Sequence, residues 1–276
     1  MILQFTKMHG LGNDFVIIDA VNQKASLSES SCRLIADRRF GIGCDQILLV
    51  EPAILPDTDF NFRIFNADGS EAGACGNGAR CFAQFVRKQQ LSDRQTLRVS
   101  TSSGTIVLTH LENGMVEVDM GEPQFEPKAI PFISEERSDQ YTLDVNGEQH
   151  TISAVSMGNP HAVLIVEDTD LAPVESLGPL IERHERFPER TNVGFLQVVN
   201  PGEVKLRVFE RGVGETLACG SGACAAVAVG RQLGLLDEHV VVHLRGGDLV
   251  IKWTAEGRAV LMRGPAKTVY EGAIEL

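Results

Sequence analysis

The stretch Cys75-Gly76-Asn77-Gly78-Ala79 recurs 144 positions later (219 − 75) as Cys219-Gly220-Ser221-Gly222-Ala223. At the same spacing Arg63 meets Arg207, Phe65 meets Phe209, Glu71 meets Glu215, Arg87 meets Arg231 and Leu91 meets Leu235. Upstream, Gly12-Asn13 matches Gly158-Asn159 and Gln46 matches Asn192; downstream, Gly104, Gly114 and Gly121 match Gly247, Gly257 and Gly264. A segment is therefore duplicated over nearly the whole chain, residues 12–123 against residues 158–264. The stretch between, residues 126–148, holds Pro127, Pro131 and a polar run, and reads as a crossover followed by a strand-like piece. The division falls near residue 125, giving an N-terminal lobe of 1–125 and a C-terminal lobe of 126–276.

Strand signals dominate each lobe, at residues 15–18, 46–50, 60–65, 97–99, 105–109 and 115–119, and again at 162–166, 195–199, 204–209, 240–244, 249–253 and 259–262. Each tetrad leads into a helix, residues 79–88 and 223–232. The second is apolar on almost every face through Ala225, Ala226, Val227, Ala228 and Val229, and such a helix must be buried. Further helices are expected at residues 30–38, capped by Ser28 or Ser30, and at residues 174–182. The fold class that follows is α+β. Two pseudo-symmetric lobes each wrap a mixed β-sheet or barrel around a central helix, with the active site expected in the cleft between them.

The chain has 276 residues and a formal charge of −12, with 37 acidic against 25 basic side chains. Phosphate-rich and anionic surfaces are recognised by basic patches, so nucleic acid and anionic membrane are poor partners for it. No apolar run reaches the roughly 18 residues of a membrane span, and no signal peptide opens the chain, which points to the cytoplasm. The six cysteines are expected as reduced thiols. Cys75 with Cys81 and Cys219 with Cys224 have spacings that suit neither zinc nor a dithiol redox pair.

Each tetrad cysteine sits where a glycine-rich turn opens a buried helix. The unpaired amides and dipole there favour negative charge, which is expected to lower the thiol pKa. The amides around Gly76, Asn77, Gly220 and Ser221 can also take an anionic oxygen such as a carboxylate, glycine letting the ligand come close. Two such helix ends on one carboxylate would stabilise the charge that builds when an α-proton leaves, without a cofactor. A thiol from each copy would then serve each face of one carbon, which is inversion. The plainer reading makes Cys75 and Cys219 small buried residues in glycine turns; a matched pair heading duplicated helices weighs against it. His161 stands out at the repeated landmark Gly158-Asn159-Pro160. Glu210, beside Arg211, either accepts a proton, holds an ammonium group or forms an exposed ion pair.

These residues resemble the diaminopimelate epimerase family. Asn66-Ala67-Asp68-Gly69-Ser70-Glu71 leading to Cys75-Gly76-Asn77-Gly78-Ala79-Arg80-Cys81 is similar to its first signature. Glu210-Arg211-Gly212 through Cys219-Gly220-Ser221-Gly222-Ala223-Cys224 is similar to its second, and His9 to Phe15 and Gly158 to His161 fit as well. The resemblance implies a cofactor-independent epimerase interconverting LL- and meso-diaminopimelate, on the route to lysine and peptidoglycan. By that pattern Cys75 and Cys219 are the acid/bases, and His161 and Glu210 tune their protonation. Gly76, Asn77, Gly220 and Ser221 hold the α-carboxylate, while Asn13, Gln46, Asn66, Asn159, Asn192, Glu210 and Arg211 read the distal end. A homodimer is implied as well. Two rivals remain at this point: a two-thiol racemase of the proline or hydroxyproline type, and a non-catalytic amino-acid-binding or thiol-sensing module.

Overall fold

The computed structural model describes residues 2–73 and 75–276. The chain forms two compact units, Met1–Asp119 with Arg263–Leu276, and Met120–Met262.

The first unit runs β1 (Ile2–Gly10), β2 (Asn13–Asp19), α1 (Glu29–Ala36), β3 (Gln46–Pro52), β4 (Phe60–Asn66), β5 (Glu71–Ala72), α2 (Gly76–Lys88), β6 (Thr96–Thr101), β7 (Gly104–His110) and β8 (Val116–Asp119). Strands β2 and β3 pair in parallel across the α1 crossover, and β4 and β6 in parallel across α2. The remaining neighbours in this run pair antiparallel. Successive side chains of a strand point to opposite faces, and here both faces are covered. Val16, Ile18, Ile47 and Leu49 pack with Ile35 of α1, whereas Phe15 and Leu48 lie against Gly78 of α2. That is why residues 15–18 and 47–50 are unbroken apolar runs. Ser28 caps α1, its side chain accepting from the Ser31 amide.

The second unit repeats the plan with β9 (Tyr141–Val145), β10 (Glu148–Ser156), β11 (Pro160–Ile165), α3 (Val174–Glu182), β12 (Asn192–Asn200), β13 (Glu203–Glu210), β14 (Gly214–Glu215), α4 (Gly220–Gln232), β15 (His239–Leu244) and β16 (Gly247–Lys252), and the division falls within β17 (Leu261–Gly264). Again the second and third strands of the plan, β11 and β12, are parallel, as are β13 and β15. The register repeats too: Phe15 lies opposite Gln46 as His161 lies opposite Asn192. Helix α4 is buried from Ala223 through Gly230 and packs against β10, β11, β12, β13 and β16, as its all-round apolar sequence requires.

The last strand, β18 (Lys267–Glu275), changes the expected division. It pairs antiparallel with β1, the place that β9 takes beside β10 in the other unit. The first unit thus takes in the C-terminal segment, which a cut at residue 125 leaves with the second half. Strands β1, β10 and β18 went unseen in the sequence because their apolar alternation is broken. In β1, Thr6 and Lys7 are buried, the Lys7 ammonium being satisfied by Asp14 at 2.6 Å and by the Gly43 carbonyl. In β18 the side chains are exposed or half-buried throughout. Among the described residues no helix is long and apolar enough to cross a membrane.

Candidate active site

The duplicated Arg and Glu form the same clasp in both units just ahead of the cysteines. Arg63 donates to Glu71 at 3.0 and 2.9 Å across β4 and β5, and Arg207 to Glu215 at 2.7 and 2.9 Å across β13 and β14. Such bidentate pairs fix geometry as well as adding energy. They tie down two-residue strands that lead the chain toward each cysteine.

Cys75 and Cys219 are then the N-caps of α2 and α4. Both have extended backbones, and each sulfur accepts a hydrogen bond from the amide three residues on, Gly78 at 3.3 Å and Gly222 at 3.4 Å. A cap side chain normally does this with oxygen; here the sulfur is drawn to the positive end of the helix. Glycine leaves room at 222, where a Cβ would stand a tight 3.2 Å from the Cys219 sulfur and 3.0 Å from Val208.

In the first unit the thiol of Cys75, half-buried, donates to Asn13 Oδ1 at 3.8 Å, and Asn77 Nδ2 donates to the same oxygen at 3.3 Å. Gln46 and Asn66, opposite each other on β3 and β4, are joined at 2.9 Å, and Asn66 donates on to Ser70 at 3.0 Å. Asn13, Cys75, Gly76 and Asn77 are therefore one cluster, with Gln46 and Asn66 forming a second chain of amides.

In the second unit His161 Nε2 meets Asn159 Oδ1 at 3.0 Å, Asn159 Nδ2 donates to Ser221 Oγ at 3.4 Å, and that hydroxyl lies 3.6 Å from the Cys219 sulfur. The Glu210 charge acts on the Cys219 thiol, and Glu210 Oε1 accepts from Thr216 Oγ1. Asn192 is buried and uses its amide to hold backbone, donating to the Pro160 carbonyl at 2.9 Å and accepting from the Arg211 amide at 3.0 Å. It braces the Arg211 segment; the Arg211 guanidinium donates to the Glu189 carbonyl at 3.1 Å. Thr216 and the Lys7, Asp14, Arg38 and Asp45 group escaped the sequence reading. Thr216 follows the repeated Glu215, and Asp14 lies inside a quoted motif, but hydrogen bonds to a site are not a sequence pattern. Among the described residues no three His, Cys, Asp or Glu side chains gather as metal ligands.

One expectation is reversed. Cys219 was expected to have a lowered pKa, yet burial and then the Glu210 charge push it well above the usual thiol value, against the weaker opposing hydrogen bonds from Ser221 and the Gly222 amide. The helix end does favour the thiolate, but desolvation of a buried sulfur is the larger effect. Cys219 is a thiol at neutral pH.

His161 is also buried, and burial, followed by the Arg211 charge, lowers its pKa to about 3. It is neutral, and because Asn159 Oδ1 only accepts, the proton sits on Nε2. Unfolded histidine titrates near 6.5, so between that pH and about 3 the unfolded chain binds a proton that the native one refuses. This contribution to stability is whole above pH 6.5 and is lost as pH falls, by up to about 1.4 kcal/mol per pH unit. Urea titrations from pH 7 to 4 are expected to show a steeper loss for the unsubstituted protein than for His161→Gln; equal slopes would mean that His161 titrates normally.

Comparison with known proteins matches both copies of this arrangement. The family model described as diaminopimelate epimerase matches residues 5–126 and 153–269. The chain belongs to the diaminopimelate epimerase family. It is 58% identical to the diaminopimelate epimerase of Thioalkalivibrio sulfidiphilus over 278 residues, and 58% identical to that of Nitrosomonas europaea over 276, each alignment covering the whole of both chains. Among solved structures, a Bacillus anthracis PhzF-family phenazine biosynthesis protein is similar at a TM-score of 0.72 and 18% identity, covering 100% of both chains. A probable proline racemase from Agrobacterium radiobacter is similar at a TM-score of 0.73 and 15% identity, covering 99% of this chain and 93% of its own. At these identities the last two share the fold alone, whereas family membership rests on the full-length relatives.

Proposed function

We propose that the chain carries out its family's reaction, interconverting LL- and meso-diaminopimelate by proton transfer at the α-carbon between two thiols. The observation that carries this reading is the pair of cysteine caps: the same side chain, with the same sulfur-to-amide bond, heads the central helix of each duplicated unit. Inversion needs a base on one face of the carbon and an acid on the other, and the duplication supplies one thiol for each. Cys219, kept protonated by burial and by the Glu210 charge, stands as the acid in the resting protein. When the reaction runs the other way it becomes the base, with Glu210 taking its proton. The helix-start amides near Gly76, Asn77, Gly220 and Ser221 take the α-carboxylate and steady the charge of the deprotonated carbon. Gln46, Asn66 and Arg211 read the distal amino-carboxylate end, Arg211 through its fork of donors. A homodimeric, cytoplasmic enzyme of lysine and peptidoglycan-precursor synthesis is the corresponding setting, supported by the family pattern.

Proton NMR of LL-diaminopimelate with the reduced protein in D₂O, no cofactor added, tests this. Meso product is expected to form with deuterium at the inverted carbon. Racemisation of proline in place of that product would reassign the substrate and keep the mechanism, and turnover of neither compound would overturn the reading.

A further inference from the structure

The two units hold their matched asparagines with opposite ends of the amide toward the sulfur. Asn13 Nδ2 donates to Asp45 Oδ2 at 2.8 Å. A carboxylate oxygen only accepts, so the amide nitrogen must face it and the carbonyl oxygen must face away. That oxygen is the one that receives the Cys75 thiol and Asn77 Nδ2. Asp45 is itself held. Its Oδ2 accepts a second bond from the Asp14 amide at 3.1 Å, and its Oδ1 accepts from Arg38 at 2.8 Å. Arg38 in turn grips Asp14 through both terminal nitrogens, at 3.0 and 2.8 Å, and Lys7 binds Asp14 from the buried side at 2.6 Å.

In the second unit the position matched to Asp45 is Thr191, one residue before Asn192 as Asp45 is before Gln46, and its hydroxyl donates to the Asn192 carbonyl at 3.1 Å. Among the described residues no carboxylate is bonded to Asn159 from that side. It is held at the other end by His161, whose own matched position in the first unit is Phe15. The Asn159 oxygen is turned to the imidazole and its nitrogen to Ser221, beside Cys219. Asp45 for Thr191 and His161 for Phe15, with Asn77 for Ser221 and Asn66 for Glu210, are exchanges that break the symmetry of the duplication near the sulfur.

We propose that Asp45, braced by Arg38, is a positioning residue that turns the Asn13 carbonyl toward Cys75, making the surroundings of the two thiols unlike. A carbonyl acceptor favours the S–H form of Cys75, while an amide or hydroxyl donor favours sulfur carrying charge, so the amide's direction sets how readily Cys75 yields its proton. The inference rests on the two-thiol reading only in taking Cys75 as an acid/base.

The test is the rate at which iodoacetamide alkylates Cys75 at pH 7 without substrate, read by peptide mass spectrometry, in Asp45→Ala and Asp45→Asn. Releasing the amide in Asp45→Ala is expected to raise the Cys75 rate about fivefold, the size of one net hydrogen bond. Asp45→Asn keeps an acceptor at the Oδ2 position without the charge, and its rate is expected to stay near the original. Turnover of diaminopimelate should fall in the first variant and recover in the second. If Asp45→Ala unfolds below the assay temperature, Asp45→Thr, carrying the residue of the matched position, replaces it with the same expectation. Equal acceleration in both variants would leave only a charge effect and overturn the proposal. So would an unchanged Cys75 rate, or a parallel rise at Cys219. Because alkylation is read without substrate, failure of the epimerase reading shows separately as absence of turnover in the unsubstituted protein.

Discussion

Replacing Cys219 by serine is expected to lower epimerisation by about 10³-fold or more, and Cys75→Ser by a similar factor. A positioned proton donor or acceptor contributes on the order of 10²- to 10⁴-fold, and a serine hydroxyl is far too weak an acid to stand in for a thiol. The substitution is unusually clean for stability. Both cysteines are N-caps whose sulfur accepts from the amide of Gly78 or Gly222, and serine is among the best capping residues. Thermal unfolding midpoints should hold while turnover collapses, which separates loss of chemistry from loss of fold. Deuterium exchange sharpens the outcome. With one thiol left, the α-proton of one diaminopimelate isomer should still exchange with D₂O without inversion, and the isomer that exchanges should switch between the two variants. Exchange of both isomers in either variant would remove the two-thiol scheme.

Glu210→Gln is expected to lower turnover by roughly 10²-fold, at the low end of what a general base supplies. Glutamine keeps the shape of the side chain and an oxygen for the Thr216 hydroxyl, so the strand end should stay in place. What is lost is the charge that, in the proposed scheme, accepts the Cys219 proton when that thiol acts as base. The two groups act as one unit, so combining Glu210→Gln with Cys219→Ser should cost no more than Cys219→Ser alone. The comparison is made on kcat measured for all three variants. A double variant slower by the product of the two single losses would mean that Glu210 serves the reaction independently of Cys219.

Much of this was legible in the chain itself. The repeated tetrads, with Arg63 and Glu71 echoed by Arg207 and Glu215, disclosed a duplicated α+β plan and two equivalent thiols at helix starts. Apolar runs within residues 15–18 and 46–50 announced strands, and the apolar circumference of residues 225–229 announced a buried central helix. These are local statements of periodicity and capping, and a linear sequence carries them. The strands β1, β10 and β18 escaped because their partners, not their composition, make them strands: Lys7 is acceptable inside only because Asp14 and the Gly43 carbonyl receive it.

The chemistry divides in the same way. From the sequence alone came the two matched thiols and the charge preference of the helix ends on which they sit. Only the tertiary structure decided that burial outweighs the helix at Cys219, that the C-terminal strand completes the first unit, and that Asn13 and Asn159 point opposite ends of their amides at their sites. Each of these depends on which groups from distant parts of the chain end up within a few ångströms and how much water is left between them. Desolvation and hydrogen-bond direction are properties of the packed neighbourhood, and no spacing along the chain encodes them.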